Sequence, residues 1–386
     1  MSGKESLDSF LTELVKTGPA GCGCAVARNG ELLYENYFGY ADLEKGRKIT
    51  SDSVYRQFSS TKVIVCTAAM MLYEQGKFLL NDPISDYFPE WTHTMVAETQ
   101  EDGSIRLREA KRPIEVQDCF TMAMGIGYGG PEYTHQRMEQ VRARLRENIG
   151  DYTLRQEIRA MSEVPVLFDP GEHWLYGFGH ELVAGLIEIV SGKKVGQFLQ
   201  EALFEPLEMK STGYHYFADI QERMVTTYRI EQGKRIPVQH VVNDERFEAQ
   251  AKYEGGGVGL FSTVPDYLKF AQMLACGGSV HGERLIGRKT IDLMRTNRLN
   301  QQQRKDFATP YLDGYGYGLG VRTRMDDLRA IGNTSVGEFG WTGMMGTYVS
   351  IDPAERMSIV YMHNSDPNME QYVHHRVRNI VYGMID

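Results

Sequence analysis

Ser59-Ser60-Thr61-Lys62-Val63-Ile64-Val65-Cys66-Thr67-Ala68-Ala69-Met70-Met71-Leu72-Tyr73-Glu74-Gln75-Gly76 is the stretch on which the reading of this chain turns. The run from Ser59 to Gln75 predicts one helix, with Gly76 in the position that favours a left-handed cap. Val63, Ile64, Val65, Cys66, Ala68, Ala69, Met70, Met71 and Leu72 leave it apolar almost all round, the pattern of a helix buried in the middle of a protein. At its start Ser59 and Lys62 stand three residues apart on one face. A lysine in apolar surroundings can help to deprotonate a neighbouring serine, and the helix start adds N–H donors that suit an oxyanion. About one or two Ser-x-x-Lys matches are expected by chance. A second one, Ser191-Gly192-Lys193-Lys194, closes a different predicted helix among charges, where nothing activates a nucleophile.

Outward from this helix, two strand pairs bracket the chain. Ala25-Val26-Ala27-Arg28 and Glu31-Leu32-Leu33-Tyr34 flank Asn29-Gly30, the strongest short hairpin signal, within an alternating run from Cys24 to Gly39. Thr347–Ile351 and Met357–Met362 flank Asp352-Pro353 as a second pair, and a last helix is expected from about Met369 to Met384. Further helices are expected over about His180–Val190 and Val264–Ala275, the latter with Pro265 in its first turn and Gly277-Gly278 at its end. Strands at both ends with helical patterns between them imply one α/β unit, 1–80 with 255–386, carrying a mostly helical insertion over 81–254.

Composition narrows the function classes. Lys and Arg number 42 and Asp and Glu 51, a net charge of −9, which argues against non-specific nucleic-acid binding. The longest apolar run is about ten residues around Val63–Leu72, short of the ~20 that a membrane helix needs. The first residues, Met-Ser-Gly-Lys-Glu-Ser-Leu-Asp, lack the apolar core of a signal peptide. Cys22, Cys24, Cys66, Cys119 and Cys276 have no spacing that suggests a disulfide framework or a zinc site. The expectation is a reduced, cytoplasmic, globular protein without nucleic-acid or membrane partners; the sequence is silent on oligomeric state.

Tyr55-Arg56-Gln57-Phe58-Ser59-Ser60-Thr61-Lys62 resembles the active-site serine motif of penicillin-recognising serine hydrolases. Leu80–Glu90 is similar to the segment that follows that helix in class C β-lactamases, and Pro170-Gly171-Glu172-His173-Trp174-Leu175-Tyr176 to their Pro-Gly…Tyr segment. Gly255–Thr263 with Asp266-Tyr267 resembles another signature. Gly337–Gly343 followed by Gly346-Thr347-Tyr348 looks like the third motif strand, most of all that of family VIII carboxylesterases. These motifs occur in the family's order over about residues 10 to 380.

The resemblance implies a β-lactamase/transpeptidase-like fold, an antiparallel sheet flanked by helices with a mostly helical inserted region, and Ser59 in the cleft between the two parts. It implies acyl transfer with Ser59 as nucleophile and Lys62 and Tyr176 sharing the proton traffic, since a cation beside a phenol favours its phenolate. The oxyanion would rest on the backbone N–H groups of Ser59 and Met344. No metal and no cofactor is implied. Two departures bear on substrate. Tyr176-Gly177-Phe178 lacks the family's amide-bearing residue, and Trp341-Thr342-Gly343 carries an indole where relatives carry a lysine that engages a carboxylate. An anionic substrate thereby loses a charge-assisted hydrogen bond worth roughly 1.5–3 kcal/mol, whereas a neutral ester loses nothing. Short-chain ester hydrolysis is therefore expected. A β-lactamase or D-amino-acid peptidase or amidase on the same site is the alternative, and a non-catalytic binding protein the more distant one. Thr121-Met122-Ala123-Met124-Gly125 adds two methionines relative to relatives.

Other signals carry less. Gly125-Ile126-Gly127-Tyr128-Gly129-Gly130 reads as a glycine-rich turn, because no strand precedes it and Pro131 follows. His180-Glu181 begins like a zinc-protease helix, but Ala184 stands where the second histidine would be. His374-His375 and Arg142–Arg146 are expected on polar, solvated helix faces. Gly314–Gly320 is expected as strand and turn. No Gly-x-Ser-x-Gly elbow occurs.

Overall fold

In the computed structural model, which describes residues 3–129, 133–239, 241, 244–326 and 328–385, Asn29 and Gly30 both take positive φ, 56° and 83°. That backbone matches the twist of a tight hairpin. It folds β1 (Gly21–Arg28) antiparallel onto β2 (Glu31–Asp42), which in turn pairs with β3 (Arg47–Lys48). Five more strands come from the far end of the chain: β4 (Tyr315–Tyr317), β5 (Arg322–Arg324), β6 (Phe339–Thr342), β7 (Tyr348–Asp352) and β8 (Met357–Met362). The sheet runs β4-β5-β6-β7-β8-β1-β2-β3, antiparallel throughout. Its seam is the β8–β1 pair, registered from Gly23 opposite Met362 to Arg28 opposite Met357.

The alternation read along β1 is not an alternation of core and solvent. Gly21 to Ala27 are all buried, because helices cover both faces of the sheet. Cys22, Cys24 and Val26 pack with Leu7, Leu11 and Leu14 of α1 (Gly3–Thr17) and with Val373, Val377 and Val381 of the last helix, Glu370–Tyr382. Ala25 and Ala27 face the main core, which holds α2 (Thr61–Glu74) and the helix Val264–Ala275. That second helix is capped as the sequence predicts: the Thr263 hydroxyl accepts from the Asp266 N–H, and Pro265 sits in the first turn.

The predicted central helix begins with a 3₁₀ turn, Phe58–Ser60, and continues as α2, ending at Gly76 with φ 71°. Thr61 to Leu72 are buried without exception, so α2 is an interior helix, packed across by the helix Gly179–Ser191. Residues 81–254 contain helices, among them Tyr133–Ile149 and Leu154–Met161, and two strand ribbons, Met95–Thr99 with Ile105–Glu109 and Tyr228–Glu231 with Lys234–Pro237. Among the described residues no helix is long and apolar enough to cross a membrane, and the five cysteines are free.

Two helix faces expected to be solvated are so only in part: Arg144 and Arg146 are exposed, whereas His374 and Arg142 turn inward. His374 is fully buried, stacked on Tyr348 at 4.6 Å with the Tyr311 hydroxyl 3.1 Å from its Nδ1; burial holds it well below the usual imidazole range. Arg142 turns inward to Glu157, which is 0% exposed and accepts from Arg142 Nε at 3.0 Å and Nη2 at 2.8 Å and from Arg246 Nη2 at 3.3 Å. Burial opposes ionisation of Glu157, but the two guanidiniums outweigh it and keep the carboxyl below its ordinary range.

Removing that carboxylate leaves two partly desolvated cations facing each other. Glu157→Gln is therefore expected to cost about 3–5 kcal/mol in chemical denaturation at neutral pH. The lowered folded pKa means that this contribution is present above about pH 4 and lost as pH falls through the folded value, so the two proteins should converge in acid.

Candidate active site

Ser59 lies on the 3₁₀ turn that enters α2, and one helical turn later Lys62 points back at it. Lys62 is 1% exposed. Its Nζ donates to Ser59 Oγ at 3.1 Å and to the Gly257 carbonyl at 2.7 Å, and lies 4.7 Å from the ring centre of Tyr176 and 5.0 Å from that of Tyr128. A buried amine needs acceptors on its N–H bonds, and the loop that supplies one is itself held from behind. Glu181, buried on the helix Gly179–Ser191, accepts from Gly256 N at 2.8 Å and Gly257 N at 3.2 Å. Burial and the nearby Glu157 hold the Glu181 carboxyl above its ordinary range. Glycine is required at 257, where a Cβ would stand 2.1 Å from Tyr128 Oη and 3.3 Å from Lys62 Nζ.

Tyr176 reaches the site on a strand-like segment bridged to the glycine-rich turn: Gly127 pairs with Gly177, and the Tyr128 N–H donates to the Tyr176 carbonyl at 3.1 Å. A Cβ on Gly177 would lie 1.8 Å from the Ile126 carbonyl, so the Tyr-Gly-Phe sequence is set by this backbone approach. Aromatic rings enclose the phenol. Trp174 stacks on it at 6.0 Å, Tyr128 meets it edge-on at 5.3 Å, and Trp341 lies at 5.6 Å. Trp341 Nε1 donates a hydrogen bond to Tyr176 Oη at 3.1 Å. The indole expected as an apolar wall is thus also a donor to the phenol oxygen.

The third wall is β6 and the turn after it. Gly343 packs so tightly against the serine turn that a Cβ there would be 2.5 Å from the Gln57 carbonyl. Thr347 completes the seam: its hydroxyl donates to Gln57 O at 3.0 Å and lies 2.9 Å from Ser60 Oγ. Met344, in that turn, is 47% exposed.

The residues expected at the site therefore divide. Ser59, Lys62, Tyr176 and Trp341 are joined by direct contacts and Gly343 packs on the serine turn, while Thr342 reaches Glu370 and Met344 follows Gly343 with its side chain exposed. Phe178 turns away from the Tyr176 phenol: 1% exposed, it packs on Tyr128 at 4.7 Å and beneath Arg142 at 4.5 Å. The methionines of Thr121–Gly125 are buried at 1%. Tyr128 of the glycine-rich turn, Glu181 of the His-Glu pair and Gly257 of the triple glycine at 255–257 join the site through contacts that no local pattern announces. His180 is buried, 3.0 Å from the Phe120 carbonyl, and burial with the Lys62 charge depresses it to about 3. Among the described residues no cluster of His, Cys, Asp and Glu could hold a metal.

The chain is similar to known proteins over nearly its whole length. Protein Rv1367c of Mycobacterium tuberculosis is 28% identical over 91% of this chain and 87% of its own. Esterase EstB of Burkholderia gladioli is 24% identical over 89% and 86%. The solved structure of EstCE1, a hydrolase with promiscuous acyltransferase activity, superposes with a TM-score of 0.82 at 22% identity, covering 99% of each chain. The Beta-lactamase family model matches residues 7–382. Because that match covers nearly the whole chain and includes the serine–lysine helix, the chain belongs to the Beta-lactamase family and is a serine hydrolase by that membership.

Proposed function

We propose that the protein hydrolyses short-chain carboxylic esters through an acyl-enzyme on Ser59. The observation that carries this reading is the contact chain Gly257 O–Lys62 Nζ–Ser59 Oγ beside a Tyr176 phenol held by an indole instead of a cation. Ser59 Oγ adds to the ester carbonyl while its proton passes to the Lys62–Tyr176 pair, and the oxyanion rests on the N–H groups of Ser59 and Met344. Collapse breaks the bond to the alcohol oxygen, which leaves with a proton from Tyr176. Water then adds to the acyl carbonyl, the acid departs, and the proton returns to Ser59 Oγ. The names Esterase EstB and EstCE1 support ester chemistry, and the latter's acyltransferase activity supports an alcohol in place of water as second acceptor. The small-molecule substrate meets a wall of Trp341, Thr342 and Gly343, without the charge that a β-lactam carboxylate would need. Free thiols, four of the five buried, support a reducing, cytoplasmic setting.

Turnover of p-nitrophenyl acetate and butyrate should exceed that of nitrocefin, and Ser59→Ala should lower ester turnover on the order of a thousandfold or more. A fluorophosphonate should label Ser59. Intact turnover in Ser59→Ala refutes the mechanism, preferential nitrocefin cleavage refutes the substrate argument, and an unlabelled, inactive protein indicates a binding function.

Trp341→Phe keeps the aromatic wall but deletes the donor to Tyr176 Oη. Steady-state kinetics should show kcat for p-nitrophenyl butyrate down roughly tenfold, the worth of one hydrogen bond, with KM little changed.

A further inference from the structure

Strand β6 is open where it borders the cleft. Its pairing to β5 covers Phe339 and Gly340 and stops there, whereas its pairing to β7 continues through Trp341 and Thr342. The outer edge of Trp341 and Thr342 is therefore left for a substrate. Side chains of adjacent strand residues point to opposite sides, so the two flank that edge differently. Trp341 reaches Tyr176, and Thr342 reaches the first turn of the last helix, where its hydroxyl donates to Glu370 Oε2 at 3.3 Å. Glu370 is half-buried, and among the described residues it forms no ion pair. Two arginines of neighbouring elements are committed elsewhere: Arg322 to Glu338 at 3.0 Å, Arg378 to the Ile331 carbonyl at 3.0 Å. Burial holds the Glu370 carboxyl above its ordinary range, with only the Thr342 hydroxyl opposing.

The position matters for one part of the substrate. If Tyr176 returns the proton to the departing alcohol, the alcohol oxygen sits beside Tyr176 Oη and hence beside Trp341 Nε1. The rest of the alcohol, lying along the open edge, passes Thr342 and meets Glu370. We propose that Glu370 is a specificity-determining residue that selects esters whose alcohol carries a positive charge and rejects those whose alcohol carries a carboxylate. This rests on the ester-hydrolase reading of the Ser59 site and adds the charge of the alcohol to it.

The test is the ratio of kcat/KM values for three acetate esters: acetylcholine, its neutral isostere 3,3-dimethylbutyl acetate, and 3-acetoxypropanoate. The wild type should prefer the cation over the isostere roughly tenfold or more and disfavour the anion by a similar factor, as close attraction or repulsion between unit charges implies. Glu370→Gln should bring both ratios toward one, and Glu370→Lys should invert them; ratios remain readable even if a variant loses overall activity. A wild-type ratio near one, or a preference that survives in Glu370→Gln, overturns the assignment while leaving a labelled, active Ser59 untouched. Failure of all three esters together with an unlabelled Ser59 overturns the reading beneath it and the assignment with it.

Discussion

A buried lysine end is the constraint from which the site follows. Lys62 sits in an interior helix at 1% exposure, where an amine without acceptors is costly. Two oxygens answer it, Ser59 Oγ from its own helix and Gly257 O from across the core. The second requires a chain segment to approach without a side chain, which explains the glycines, and something to hold that segment in place, which explains a buried glutamate at 181 accepting two backbone N–H groups. Ser59, Lys62, Gly257 and Glu181 are thus links of one hydrogen-bonded network.

The phenol is positioned by a different physics. Around Tyr176, Lys62 Nζ apart, stand rings: Trp174, Tyr128 and Trp341, with Tyr317 behind Trp341 at 5.2 Å. Rings with only two side-chain torsions fix a neighbour at little entropic cost, and the Trp341 N–H supplies the one directional contact. The result is a polar pair, lysine and serine, set against an apolar enclosure, a combination suited to a neutral carbonyl compound.

Much of this was legible in the residues. Asn29-Gly30 specifies a hairpin by backbone conformation, a local property, and Ser59 to Gly76 specifies an interior helix with its serine and lysine on one face. Sequence order alone placed Tyr176 and Trp341 near them by likeness to a known family. What could not be read depends on which residues meet across the fold. His374 and Arg142 look polar in a helix pattern, yet each finds a partner from a distant element, Tyr348 and Glu157, and turns inward. Phe178 follows Tyr176 by two residues, but the Gly127–Gly177 bridge sends it into the core. Tyr128 sits in a glycine run whose only local message is a turn.

The seam between β1 and β8 joins residues 23 and 362, and the serine turn is laced to Thr347. Contacts so distant along the chain make folding slow relative to helical proteins of local contact. On the ribosome, at about 5–20 residues per second, the first hairpin waits on the order of tens of seconds for its second neighbour. The Ser59 turn is completed by one of the last segments to be made, so in the growing chain that turn is finished only when nearly everything that packs around it already exists.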